Sequence, residues 1–94
     1  MRVVVKIGEP LWRTVGSRSL TLEWENATAT VADALARLTA EHPAFGPAFR
    51  GDGQRQKVTY QVFVNTRMVK PEAWLEAGLQ NGDKLFIFLP AVGG

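Results

Sequence analysis

The stretch with the clearest chemistry ends the chain, Leu89-Pro90-Ala91-Val92-Gly93-Gly94, and it has no functional side chain to offer. The reactive group there is the backbone carboxylate of Gly94. Without a Cβ, Gly93 and Gly94 can thread a channel too narrow for any other residue, with Val92 as the last side chain before them. Pro90 cannot donate to a sheet ladder, so it marks where an apolar strand stops and a free segment begins. Five extended residues from Pro90 reach at most roughly 16 to 18 Å, enough to enter the active site of another protein. What precedes the tail must therefore be a scaffold that presents it.

That scaffold reads as an alternation of strands around one helix. Residues 1–7 set Met1, Val3, Val5 and Ile7 on one face, with Arg2, Val4 and Lys6 on the other. Residues 19–25 repeat the alternation with Leu20, Leu22 and Trp24, which makes an antiparallel hairpin across the turn at 8–17. Thr30 followed by Asp33 announces a helix N-terminus, and Val31, Ala34, Leu35 and Leu38 form its buried stripe until His42-Pro43 stops it. The glycines, prolines and charges of 43–57 predict a long surface loop with Phe45 and Phe49 tucked beneath it. Strands are expected at 58–65 and 84–89, a short strand at 68–69, a turn of helix over 72–77 opened by Pro71 and ended by Gly78, and a tight turn at Asn81-Gly82. The expected class is α+β: a mixed sheet covered on one face by one main helix.

Composition narrows the function. A chain of 94 residues is long enough for one core and too short for a deep private cleft, so one domain over 1–94 with a free tail from about residue 90 is expected. No apolar run approaches a membrane span, and no signal peptide is legible, which predicts a cytoplasmic protein without a membrane partner. With no cysteine there is no disulfide, thiolate metal site or nucleophilic thiol. Net charge is only +2, so nucleic acid is not an expected partner, and Arg50, Arg55 and Lys57 read as a solvated loop. The lone His42 makes no metal site, Gly51-Asp52-Gly53 makes no phosphate cradle, and neither a catalytic side chain nor a cofactor bound by the chain itself is expected.

The order of elements is that of the β-grasp, the ubiquitin-like fold, and particular stretches carry a more specific resemblance. Leu11-Trp12-Arg13-Thr14-Val15-Gly16, Thr30-Val31-Ala32-Asp33-Ala34-Leu35, Val64-Asn65 with Val69, Gly82-Asp83, Leu89-Pro90 and Gly93-Gly94 resemble, in the same order, the sulfur-carrier branch of the ubiquitin-like proteins. That branch includes the molybdopterin synthase small subunit and carriers of the thiamin and cysteine pathways. The resemblance implies that an ATP-dependent activating enzyme, a ubiquitin-activating-like adenylyltransferase, converts the Gly94 carboxylate to an acyl-adenylate. Sulfur then enters as a thiocarboxylate, donated in turn to a synthase large subunit or, in the cysteine pathway, to a pyridoxal-phosphate sulfhydrylase. The length of 43–57 and the run Leu89-Pro90-Ala91-Val92 are similar to the cysteine-pathway type. The same tail would serve a modifier joined to lysines through Gly94, and the scaffold without its tail would serve as a plain interaction module.

One further surface is expected. Phe63, Phe86 and Phe88 alternate away from the helix-covered side, and neighbouring third and last strands would gather them into an exposed apolar patch beside the tail root, with Val4 near by. This is the expected partner-binding face.

Overall fold

The computed structural model describes residues 1–53 and 59–90. Strand β1 (Arg2–Ile7) buries Val3, Val5 and Ile7 and turns Arg2, Val4 and Lys6 outward, as a period of two requires. It pairs antiparallel with β2 (Ser19–Glu23), with Val3 opposite Leu22 and Val5 opposite Leu20. Between them a 3-10 turn over Leu11–Thr14 drops Leu11 into the core.

Three more strands complete this sheet: β4 (Gln61–Val64), β5 (Arg67–Met68) and β7 (Lys84–Phe88). The spatial order is β2-β1-β7-β4-β5, so the last strand in sequence lies in the middle. It runs parallel to β1 and antiparallel to β4. A second pairing, which local pattern did not foreshadow, joins β3 (Ala29–Thr30) to β6 (Gly78–Leu79).

Helix α1 (Val31–Glu41) begins as its sequence dictates. The Asp33 amide donates to Thr30 Oγ1 and the Thr30 amide to Asp33 Oδ2, a reciprocal capping box at 3.1 and 2.8 Å. The two amides ahead of Asp33 find carbonyls instead, Val31 on Ala77 and Ala32 on Trp74, so the segment before β6 closes the helix N-terminus. Val31, Ala34, Leu35 and Leu38 then pack onto Val3, Val5, Val62, Leu85 and Ile87 of the sheet in one hydrophobic cluster. Among the described residues no charged or polar side chain is buried. This mixed sheet with one main helix across it is the β-grasp arrangement. Replacing Thr30 with Ala removes a cap from the helix that covers the sheet, and urea unfolding should register a loss of about 1 kcal/mol.

The expectation of a loop over 43–57 requires correction. Residues Phe45–Arg50 form a second helix, α2, with Phe45 fully buried. Proline does not forbid it, because Pro47 stands in the first turn, where its missing amide has no intrahelical partner to lose. Gly46 sets the approach of the two helices: a Cβ there would lie 2.8 Å from Thr39 Cγ2 on α1. Gly51, at φ 74°, ends the element in the left-handed conformation usual for a helix C-terminus.

Smaller corrections follow the same logic of tertiary partners. The turn after Pro71 is 3-10 and spans only Pro71–Ala73, and Gly78 opens β6 instead of ending a helix. Strand β5 sits one residue earlier than the expected 68–69, because Val64 and Phe63 pair with Arg67 and Met68 across a turn in which Asn65 takes φ 56°.

Candidate functional site

The tail root is built from the sheet outward. Strand β7 is held on both sides, by β1 and by β4, and its far end is pinned by the Gly8 amide donating to the Ile87 carbonyl at 2.9 Å. Leu89 keeps one side against the core and Pro90 stands exposed. The chain therefore leaves from the middle of the sheet, with little freedom before residue 90. Val92, Gly93 and Gly94 lie outside the described residues, as do Arg55, Lys57 and the expected strand start at Val58.

The opposite end of β7 explains two motifs that the sequence only placed in order. Asn65 Nδ2 donates to Asp83 Oδ1 at 3.1 Å, and Asn65 Oδ1 accepts from the Lys84 amide at 3.0 Å. The other Asp83 oxygen accepts from the Gln80 amide at 2.8 Å. Asn65 and Gly82-Asp83 thus form one clasp that sets where β7 begins, and with it the register of the strand that carries the tail.

On the face away from α1, the structure brings three of the four proposed docking residues together. Phe63 and Phe86 are direct cross-strand partners, and the Phe88 ring lies 6.3 Å from Phe63 and 5.5 Å from Phe86, both tilted. Gly8 passes beneath, where a Cβ would come within 3.3 Å of Phe88 Cδ1. Val4 shares the face but stands a row away opposite Lys84, on the margin of the cluster. Sequence reasoning missed Met68, which lies opposite Phe63 on the outermost strand and is 43% exposed against 36% for Phe88. Its signal was the alternation at 67–68, too short to assign to a face without its partner strand.

Beyond Gly8, at the tail-root end, the Glu9 carboxylate gathers the hairpin turn. It accepts from Trp12 Nε1 at 2.8 Å, from Arg18 Nη2 at 2.9 Å and, at longer range, from Arg13. The indole N–H above all, then Arg13, holds the Glu9 carboxyl below its ordinary range. Both guanidiniums also lie over the Trp12 ring, 5.3 and 4.9 Å from its centroid. Elsewhere the candidates of lesser promise have structural places. Asp33 caps α1, His42 follows its last turn, and Arg50 pairs with Asp52 at 3.0 Å. No cluster of metal-ligating side chains occurs among the described residues, and no helix of theirs is long and apolar enough to cross a membrane.

The arrangement has counterparts. The chain is similar to small archaeal modifier protein 1 (SAMP1) from Haloferax volcanii, at 29% identity over 100% of both chains and a TM-score of 0.76. It is similar to a chain of the BexX/CysO complex of Amycolatopsis orientalis, at 26% identity over 98% of this chain and 99% of that one, TM-score 0.67. It shares its fold with a chain of the complex of subunits 1 and 2 of molybdopterin-converting factor from Helicobacter pylori, at 17% identity over 100% of both chains, TM-score 0.65. No curated protein sequence matches. Residues 6–94, which take in β1 from Lys6, the capped helix, the Asn65–Asp83 clasp, the central β7 and the glycine tail, match the ThiS family. With that match running over nearly the whole chain, this chain belongs to the ThiS family of ubiquitin-like sulfur carriers.

Proposed function

We propose that residues 1–94 act as one ubiquitin-like unit whose Gly94 carboxylate is the working group, adenylated by an ATP-dependent activating enzyme and then converted to a thiocarboxylate. The single observation that carries this reading is the family match running through residue 94, on a fold that delivers the tail from a clamped central strand. A carboxylate is a poor electrophile. Attack of its oxygen on the α-phosphate of ATP expels pyrophosphate and leaves an acyl-adenylate, from which hydrosulfide displaces AMP. The scaffold supplies no catalytic side chain to these steps, and ATP belongs to the partner. Its contribution is to hold the tail root still and to dock, so that proximity does the rest. The sulfur then passes to a second partner, a pyridoxal-phosphate sulfhydrylase or a molybdopterin synthase large subunit. Similarity to a chain of the BexX/CysO complex supports a carrier that works in complex with a partner protein, and shared fold with the converting-factor complex accords with the second of these partners.

A second reading, a modifier joined to lysines through Gly94, is supported by the similarity to SAMP1. One experiment separates the two: incubation with the activating enzyme of the same organism, ATP and a sulfur source, followed by mass spectrometry of the C-terminus. A carrier exchanges an oxygen for sulfur; a modifier appears as a branched peptide on lysine.

The docking part of the reading rests on Phe63, Phe86, Phe88 and Val4. Phe88→Asp should cost the fold only about 1 kcal/mol, because the ring is partly in water already. Placed in an aromatic anchor, the carboxylate should weaken binding to the activating enzyme about 10-fold or more by calorimetry. Unchanged affinity would remove the patch from the proposal.

A further inference from the structure

The two edges of the sheet are unlike. Strand β5 is two residues long and runs on to Pro71, which has no amide to offer, so it gives an incoming strand little to pair with. Strand β2 is five residues long and forms the opposite edge. Which of its groups face outward follows from its pairing with β1. The Met1 amino group donates to the Trp24 carbonyl at 2.7 Å, the Trp24 amide to the Met1 carbonyl at 2.9 Å, and the Ile7 amide to the Arg18 carbonyl at 2.9 Å. Hydrogen-bonded pairs alternate along an antiparallel ladder, so Leu20 and Leu22 turn their N–H and C=O groups to Val5 and Val3. Ser19, Thr21 and Glu23 turn theirs to the open edge.

Side chains already occupy both ends of that outward row. The Ser17 hydroxyl donates to the Ser19 carbonyl at 2.6 Å and accepts from the Ser19 amide at 3.2 Å. Arg37 Nη1, reaching over from α1, donates to the Glu23 carbonyl at 3.0 Å. Its guanidinium is held there from two further sides, 5.0 Å above the Trp24 ring and 3.7 Å from Glu41 Oε2. Arg2, Arg13, Arg18 and Arg50 donate to carboxylates; among the described residues Arg37 alone puts a guanidinium on a backbone carbonyl. The packing of α1 does not ask for this, since its buried stripe is Val31, Ala34, Leu35 and Leu38.

We infer that β2 is a self-pairing edge held shut by Ser17 and Arg37, and that the strand it would otherwise accept is the β2 of a second copy of this chain. Antiparallel pairing about a two-fold axis at Thr21 sets Thr21 against Thr21 of the other copy and Ser19 against its Glu23, every one of them with outward groups. Ser17 takes both groups of Ser19, and Arg37 takes the carbonyl of Glu23, so each Ser19–Glu23 pair loses its hydrogen bonds in both directions. Only the Thr21 pair is left. One residue pair does not offset the freedom lost on association. The latch thus keeps the unit single, and the tail plays no part in it.

The test is the oligomeric state of the full chain, by analytical ultracentrifugation and by concentration-dependent amide spectra. The parent should remain monomeric at about 1 mM, whereas the double variant Ser17→Ala, Arg37→Ala should dimerise at least about 10-fold more tightly. Its Thr21 and Glu23 amides should shift and become protected from exchange as concentration rises. Glu41→Ala, which leaves the bond from Arg37 to Glu23 in place, should behave as the parent. Adding Thr21→Pro to the double variant removes an edge amide that β1 does not use, and should restore the monomer. A double variant that stays monomeric overturns the inference. So does a dimer whose Thr21 and Glu23 amides are unchanged, or one that survives Thr21→Pro, because its contact then lies elsewhere on the molecule. Equal dimerisation of Glu41→Ala would trace the effect to helix charge and overturn it too.

Discussion

Removal of Gly94, or addition of one residue after it, is expected to abolish ATP-dependent adenylation while leaving the unfolding curve unchanged. The physical basis lies in where the tail begins. Strand β7 is bonded to β1 and β4 along its length, and Ile87 is tied to Gly8, so the root has no slack with which to compensate for a lost or added residue. A change of one residue moves the terminal carboxylate by roughly 3.3 to 3.6 Å. Displacement of a reacting group by about 1 Å can cost on the order of 100-fold in rate. Stability should be indifferent, because among the described residues the side chains packed on the buried cluster come from no later than Leu89, and a chain terminus adds few packed contacts. Gly93→Val should fail in the same assay through its Cβ and restricted backbone, which oppose passage through a close-fitting channel. The measurement is acyl-adenylate formation with the activating enzyme, read by pyrophosphate release and by mass. A truncated chain that is activated as well as the parent would dismiss the carrier and the modifier together and leave an interaction module.

Phe45→Ala is expected to have the largest effect on stability, a loss of about 3 to 5 kcal/mol by urea unfolding. Phe45 is 0% exposed and stacks on Phe49 at 5.4 Å; Phe49 in turn contacts Tyr60 at 6.0 Å and Trp74 at 5.6 Å. The ring thus joins α2 to the start of β4 and to the segment that closes the N-terminus of α1. Burial also pushes the Tyr60 hydroxyl pKa up, which fits the closeness of this packing. For a domain whose whole stability is about 5 to 15 kcal/mol, such a loss leaves a substantial unfolded fraction. A residue tucked loosely under a loop would instead cost about 1 kcal/mol or less, so the size of the change tells a packed helix from a covering loop.

The Asn65–Asp83 clasp shows what a motif can conceal. In the chain these residues are 18 apart and read only as punctuation, a turn residue and a Gly-Asp pair. In the fold their side chains bond to each other and to the Lys84 amide, so together they fix the register of β7. A single-residue slip of that strand would send Phe86 and Phe88 to the core and Leu85 and Ile87 to the surface. The outward facing of the aromatic cluster thus depends on a clasp at the other end of the strand.

What the amino-acid sequence determined by itself is whatever depends on near neighbours along the chain. The capping box of Thr30 and Asp33 needs a span of three residues, and the stripe of Val31, Ala34, Leu35 and Leu38 needs little more than two turns. The facing of Val3, Val5, Leu85 and Ile87 inward and Phe63, Phe86 and Phe88 outward needs only the pleat. The proposed chemistry of the tail rests on Gly93 and Gly94 alone. Tertiary structure decided the rest. Helix α2 is six residues long, too short to hold itself together in water, and it exists because Phe45 is buried and Gly46 lets Thr39 approach. The two-residue strands β3, β5 and β6 carry no period of their own and are strands only because a partner supplies hydrogen bonds. The position of β7 between β1 and β4, with Val4 opposite Lys84 eighty residues away, is set by which apolar faces close the core at least cost in loop entropy. From that pairing come the central root of the tail and the inclusion of Met68 in the aromatic patch. These are relations between distant residues, which local periodicity does not encode.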